Sequence, residues 1–348
     1  QARGRVAQIE AARAAFRGGF VAEAVDRFLA RTEAMDASGM RHRGVLTGED
    51  MARWEASWEP PATVDYHGWT VAKTGPWGQG PVLLQSLALL RGIDLAAMDP
   101  AGPDFVHTVA EAMKLAYADR EAYYGDPAFT DVPLATLLSE DYAAPRRTQI
   151  GADASLELRP GRVPGFEAQR VAALALLDRQ SATGNAVYEP TMAHLSEVKG
   201  DTVHLDAVDG EGNMVSVTPS GGWLQSSPAI EDLGFCLNTR AQMFWLEPGL
   251  PASLAPGKRP RTTLTPSLAL HQGGAAVAFG SPGGDQQDQW QLAFFLRHVH
   301  HGMNLQEAID APLFHSMHFP SSFFPRSCQP GRLVRSEEHT SELQSLTN

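Results

Sequence analysis

Apolar and polar positions along this chain of 348 residues fall into two regimes. Up to about residue 200 the apolar residues recur at helical spacing. Ile9, Ala12, Phe16, Val21, Ala24, Val25 and Phe28 line one face of residues 7–30, with Gly18-Gly19 as an interruption. Thr47 and Asp50 read as the capped start of a short helix through Ala56, and Pro60-Pro61 ends that segment. Trp69 to Lys73 reads as a strand. The loop from Gly75 to Pro81 follows, and Pro81 suits the first position of a helix over Val82–Arg91 that stops at Gly92. A longer helix is predicted from Phe105 to Tyr124, with Val109, Met113, Leu115 and Ala116 in its buried stripe. Residues 126–200 are mixed and partly proline-rich, with a short helix over Gln169–Leu177.

The pattern changes after Lys199-Gly200-Asp201. Strands are predicted over 202–208, 213–218, 234–238, 266–270 and 275–280. Helices follow over 286–301 and 304–310, the second opened by Asn304 with Glu307 as a capping pair. There is no internal repeat of the length expected for solenoids.

Composition narrows the classes. Hydrophobic residues make up 43%, which supports a sizeable core. The net charge is −12 and no long lysine/arginine cluster is present, which argues against nucleic acid or an anionic membrane as partner. No apolar run approaches the ~18 residues of a membrane span. The two cysteines, Cys236 and Cys328, make neither a disulfide framework nor a zinc site, and they leave the compartment open. His298, His300, His301, His315 and His318 cluster in sequence, but the adjacent His300 and His301 cannot share a helix face. No metal or cofactor is expected. The Gly75–Pro81 loop lacks the Lys-Ser/Thr ending of a phosphate loop, and its Trp77 either lines a pocket or packs in the core. The chain opens at Gln1 in mid-pattern, and residues 335–348 resemble a translated sequencing adapter. The expectation is a piece of a longer protein whose export signal, if any, lies upstream.

The chemistry centres on Thr202. It opens an alternating stretch to Asp209, followed by a turn with Gly210 and Gly212 and a second strand from Met214 to Thr218. If Val208 pairs with Asn213, Thr202 lies beside about position 219, near Thr218 and Ser220; a bulge shifts this by one. Strand propensity alone also accounts for these hydroxyl residues. Gly280-Ser281-Pro282-Gly283-Gly284 stands at the mouth of a helix. It is either an ordinary tight turn or a set of exposed amides at the positive helix end. A threonine nucleophile with such a glycine pair suggests acyl transfer. In Lys258-Arg259-Pro260-Arg261-Thr262-Thr263-Leu264-Thr265-Pro266, three cations stand beside three hydroxyls. That is a solvated loop or a carboxylate-holding segment.

Together these stretches resemble the γ-glutamyltransferase family. So do Ala116-Tyr117-Ala118-Asp119-Arg120 and Tyr124-Gly125-Asp126-Pro127, over about residues 1–330. The resemblance implies an α+β fold of the N-terminal nucleophile hydrolase type, an αββα sandwich of two stacked antiparallel sheets between helical layers. It implies self-cleavage between Asp201 and Thr202, giving a large-subunit-like, mainly helical region 1–201 and a catalytic small-subunit-like region 202–334 that stay associated. Thr202 would be the nucleophile, Ser220 its hydroxyl partner, and Gly283 and Gly284 the oxyanion donors. Thr262, Thr263 and Arg240 would contact substrate. The implied activity is cleavage of γ-glutamyl amides such as glutathione, with transfer to water or an amine. The alternatives are a cephalosporin or glutaryl acylase and, in another class, a non-catalytic homologue.

Two positions depart from the family pattern. Met243 stands where the family has the aspartate that holds the substrate ammonium, and Gly222 replaces an asparagine. The arginine that grips the α-carboxylate would lie upstream of Gln1. Asn238 is retained.

Overall fold

A computed structural model of the chain describes residues 3–35, 39–182, 202–222, 227–324 and 326–336. Two compact units emerge, each assembled from discontinuous stretches. Among the described residues the first takes 3–35, 39–59, 221–222 and 227–239, the second 60–182, 202–220, 240–324 and 326–336.

In the first unit, α1 (Arg5–Arg17) and α2 (Phe20–Arg31) are separated at Gly18-Gly19, as the sequence predicts. They are followed by β1 (Glu33–Met35), β2 (Arg41–Arg43) and α3 (Gly48–Arg53). Thr47 and Asp50 cap α3 reciprocally, each side chain bonding the other's backbone N–H. The continuous apolar face expected over 7–30 needs correction. Only α2 buries apolar side chains (Ala22, Ala24 and Val25), whereas Ile9 and Phe16 of α1 are exposed.

The second unit is built on β3 (Ala62–Tyr66), β4 (Trp69–Lys73), α4 (Pro81–Leu90), α5 (Pro103–Tyr123), α6 (Leu134–Leu137), α7 (Glu140–Arg147) and α8 (Glu167–Ala182). It continues with the hairpin β5 (Leu205–Val208) and β6 (Met214–Val217). The pair β7 (Ala229–Ile230) and β8 (Phe235–Cys236) belongs to the first unit. The second unit closes with β9 (Ser267–His271), β10 (Ala276–Phe279), α9 (Gln287–His301), α10 (Leu305–Asp310), β11 (Phe314–Ser316) and β12 (Leu333–Arg335). Arg335 of β12 pairs with Phe314.

An antiparallel sheet in the order β10-β9-β4-β3 forms the floor. Its centre is the register Val71↔Ala269, both fully buried. The β3–β4 hairpin closes through His67 and Gly68, both at positive φ, as a tight turn compatible with strand twist requires. α4 is buried on every side and α5 nearly so, which is why their apolar residues do not form a single stripe. Pro81 and Pro103 each open a helix where no N–H is needed. Gly302, left-handed at φ 64°, ends α9.

The α+β class expected from the sequence is the class observed. The described residues form one four-stranded sheet and several two-stranded pairs, of which the β5–β6 hairpin lies against β10. Ser216 Oγ of that hairpin donates to the Phe279 carbonyl at 3.4 Å. The expected hairpin register is off by one. Val208 pairs with Met214, and Asp209 and Asn213 close the loop instead. Asp209 explains the extra residue: its carboxylate accepts from the N–H groups of Glu211 and Asn213, both at 2.9 Å, and from the Asn213 side chain. Those bonds hold its pKa below the ordinary aspartate value.

Candidate active site

Shifting the register by one brings position 202 opposite 220, and the side chains meet there. Thr202 Oγ1 donates to Ser220 Oγ at 2.9 Å, and the Gly283 carbonyl oxygen lies 3.5 Å from the same hydroxyl. Thr202 is 9% exposed. The ladder runs up to it, with Val203 N–H donating to the Pro219 carbonyl at 3.1 Å. Behind it, the His204 ring lies 2.8 Å from Thr218 Oγ1 and 2.9 Å from an Asp206 carboxylate oxygen, which fixes the strand end. Asp201 lies outside the described residues.

Three glycines are dictated by space. A Cβ at Gly280 would collide with the His204 ring. Gly283 has φ 124°, a backbone region that side chains avoid, and a Cβ there would lie 3.2 Å from Trp290. At Gly284 a Cβ would come within 2.8 Å of the Phe323 ring. Neither the Gly283 nor the Gly284 N–H donates a hydrogen bond among the described residues. Two unengaged amides just before α9 are the groups an oxyanion site needs.

Asp285, next in the chain, is anchored by Arg120 of α5 and accepts from Ser322 N–H at 2.7 Å and Ser322 Oγ at 2.6 Å. Burial pushes its carboxyl up, but Arg120 and the Ser322 donors outweigh that and hold its pKa below the ordinary range. Asp288, the second residue of α9, meets the fully buried Lys73 of β4 at 3.1 Å and accepts from Thr265 Oγ1 at 2.6 Å. Burial draws both members toward their neutral forms, Asp288 upward and Lys73 downward. The sequence reading missed these ties. The signals available were a lysine on the inward side of β4 and the charged run Asp119-Arg120-Glu121 inside an apolar helix.

Thr262 and Thr263 are buried, and Arg240 reaches Thr263 Oγ1 through Nη1 at 3.3 Å. The structure thus brings Arg240 and Thr263 together. Two of the three cations beside them are already paired, and only Arg261 is buried. Arg259 bonds Asp126 at 2.8 Å, and Arg261 grips both Glu121 oxygens at 2.8 and 3.1 Å. Trp77 sits under the Arg259 guanidinium, 4.8 Å from centroid to Cζ, and its carbonyl accepts from Thr262 N–H at 3.0 Å. Met243 is 1% exposed.

Among the described residues no group of three or more His, Cys, Asp or Glu is arranged to hold a metal ion. His298 instead contacts the Met303 carbonyl and His300 the Tyr66 hydroxyl, both at 2.8 Å. No helix of the described residues is long and apolar enough to cross a membrane.

Comparison with known proteins agrees with the motifs. The family model described as Gamma-glutamyltranspeptidase matches residues 6–341. A glutathione hydrolase proenzyme of Pseudomonas sp. (strain A14) is 30% identical over 320 residues, covering 88% of this chain and 49% of that protein. An acylase ACY 1 proenzyme of Pseudomonas sp. (strain SE83) is 30% identical over 285 residues, 81% of this chain and 45% of that one. The chain thus spans about half the length of the curated relatives it matches. Among solved structures, one described as LmbA2991HD superposes with a TM-score of 0.82 at 50% identity, over 99% of this chain and 57% of the other. Cephalosporin acylase from Bacillus halodurans gives 0.68 at 28% identity, over 88% and 48%. The fold is that of the N-terminal nucleophile hydrolases, and the chain belongs to the gamma-glutamyltranspeptidase family.

Proposed function

We propose that the full-length protein is a self-processing threonine hydrolase or acyltransferase acting on small amides. The Thr202–Ser220 hydroxyl contact, with the Gly283-Gly284 backbone next to it, carries this reading. In the uncut chain Thr202 has no base of its own. Cleavage between Asp201 and Thr202 gives it a free α-amine, with an unperturbed pKa near ~8, that accepts the hydroxyl proton. Thr202 Oγ then attacks the acyl carbon, while Ser220 fixes the hydroxyl's direction. The Gly283 and Gly284 amides stabilise the oxyanion, and one such donor is typically worth ~3 kcal/mol of barrier. The amide C–N bond breaks, the leaving amine takes the proton, and the threonyl ester passes its acyl group to water or to an amine. Regions 1–201 and 202–334 are the two subunits that stay associated.

Arg240, Thr262 and Thr263 are the proposed substrate-binding residues, at the carboxylate end of a γ-glutamyl or related acyl group. One observation favours the acylase alternative. Met243, buried where the family's ammonium-binding aspartate stands, offers no charge to an α-ammonium. An acyl group without that ammonium, such as glutaryl, loses nothing there. Rates with γ-glutamyl and glutaryl anilides on the full-length protein decide between the two. A chain that stays uncut and shows no acyl-enzyme burst with either would make it a non-catalytic homologue.

A further inference from the structure

The Gly283 carbonyl and the Gly284 N–H belong to one peptide unit, and in a planar trans peptide they point in opposite directions. Here the carbonyl oxygen is on the Thr202 side, 3.5 Å from Oγ1. The Gly284 N–H therefore points away from the threonine. A carbonyl oxygen facing the reaction centre repels an oxyanion, so this arrangement offers one glycine donor at most. What holds the carbonyl is Gln287, fully buried at the start of α9, whose Nε2 donates to it. The Gln287 Oε1 has no hydrogen-bond partner among the described residues, so this single bond fixes the side-chain amide. Glycine at both ends of the peptide leaves it free to rotate.

We infer that the Gly283–Gly284 peptide has two working orientations and that Gln287 is the positioning residue that latches the first. The inference rests on the proposed role of Thr202. In the uncut chain the latched carbonyl and Ser220 are alternative acceptors for the Thr202 hydroxyl, and they restrict its direction for attack on the carbonyl carbon of the preceding residue. In that step the Oγ–C bond forms, the peptide C–N bond breaks, and the hydroxyl proton ends on the released amine. Water then hydrolyses the ester, giving a carboxylate and restoring the hydroxyl. In the cut chain the peptide turns over, so that the Gly284 N–H faces the adduct beside that of Gly283.

The test uses the full-length protein with Gln287→Met, which keeps length without a donor, and Gln287→Glu, which keeps shape. Two rates are read: self-cleavage of freshly made chain, and the acyl-enzyme burst per cut chain. The latch predicts self-cleavage slowed at least tenfold in both variants, with the burst per cut chain raised severalfold. Equal loss in both rates, the mark of a merely structural residue, overturns it, as does unchanged self-cleavage. Crystal structures of uncut Thr202→Ala protein and of the wild-type acyl-enzyme give an answer that does not depend on how the Gln287 variants fold. The carbonyl should face position 202 in the first and the Gly284 N–H the adduct in the second, and one shared orientation overturns the inference. A Thr202→Ala chain that is still cut fails differently, because it removes the underlying reading of Thr202 itself.

Discussion

Arg120 and Asp285 form a buried ion pair that ties the central helix α5 to the residue directly after the glycine pair. Arg120 also donates to Gln79 Oε1 at 3.0 Å and to the Pro320 carbonyl at 3.2 Å, and its guanidinium lies 4.5 Å from the Tyr117 ring centroid. Replacing it by Met strands a buried carboxylate. The expected loss is ~3–5 kcal/mol, because an unpaired buried charge costs more than the pair contributes. Arg120→Lys should fall between, since a point charge cannot reproduce the planar fork. Urea midpoints of the three proteins check this ordering.

Ser220 should matter through its hydroxyl alone. Ser220→Ala is expected to slow both self-cleavage and turnover by one to two orders of magnitude, in line with losing a hydrogen bond that orients a nucleophile. Ser220→Thr, which keeps a hydroxyl at this position, should retain most of both. An alanine variant with wild-type rates would leave the 2.9 Å contact without a role.

Gly284→Ala puts a methyl 2.8 Å from the Phe323 ring and displaces the amide. Turnover per cut chain should drop ~100-fold or more, the typical cost of one oxyanion donor. Single-turnover kinetics on an anilide substrate measure it. Normal acylation in this variant would remove the amide from the mechanism.

His300 gives a pH signature. Burial first, then the neighbouring His67 and His301, lower its pKa from 6.5 to about 4. The unfolded chain takes up a proton below 6.5, the folded chain only near 4. Stability from this group is therefore complete above pH 6.5 and is lost as pH falls from 6.5 to 4. Melting temperatures across that window should decline in the wild type and decline less in His300→Phe. Parallel curves would show that this histidine is not responsible.

Much of this architecture can be read from residue order, for reasons that differ by element. β4, α4, α5 and α9 fall within two residues of expectation, because long apolar periodicities and an N1 proline mark them. β3 is invisible in the sequence. It is only five residues long, and its turn uses His67 at positive φ where asparagine or aspartate is the usual cue. α7 carries Pro145 in its interior, which reads as a breaker. At the site, hydroxyls and glycines announce themselves by type and spacing. Gln287 and the Lys73–Asp288 pair do not, since nothing in the order of residues says that polar groups from separate elements will meet out of water.

The most direct test of the central claim is intact mass spectrometry of the purified full-length protein alongside its Thr202→Ala variant. A fragment whose first residue is Thr202 is expected in the wild type and a single uncut chain in the variant. A wild-type protein without that fragment, or a variant cut at the same bond, would contradict it.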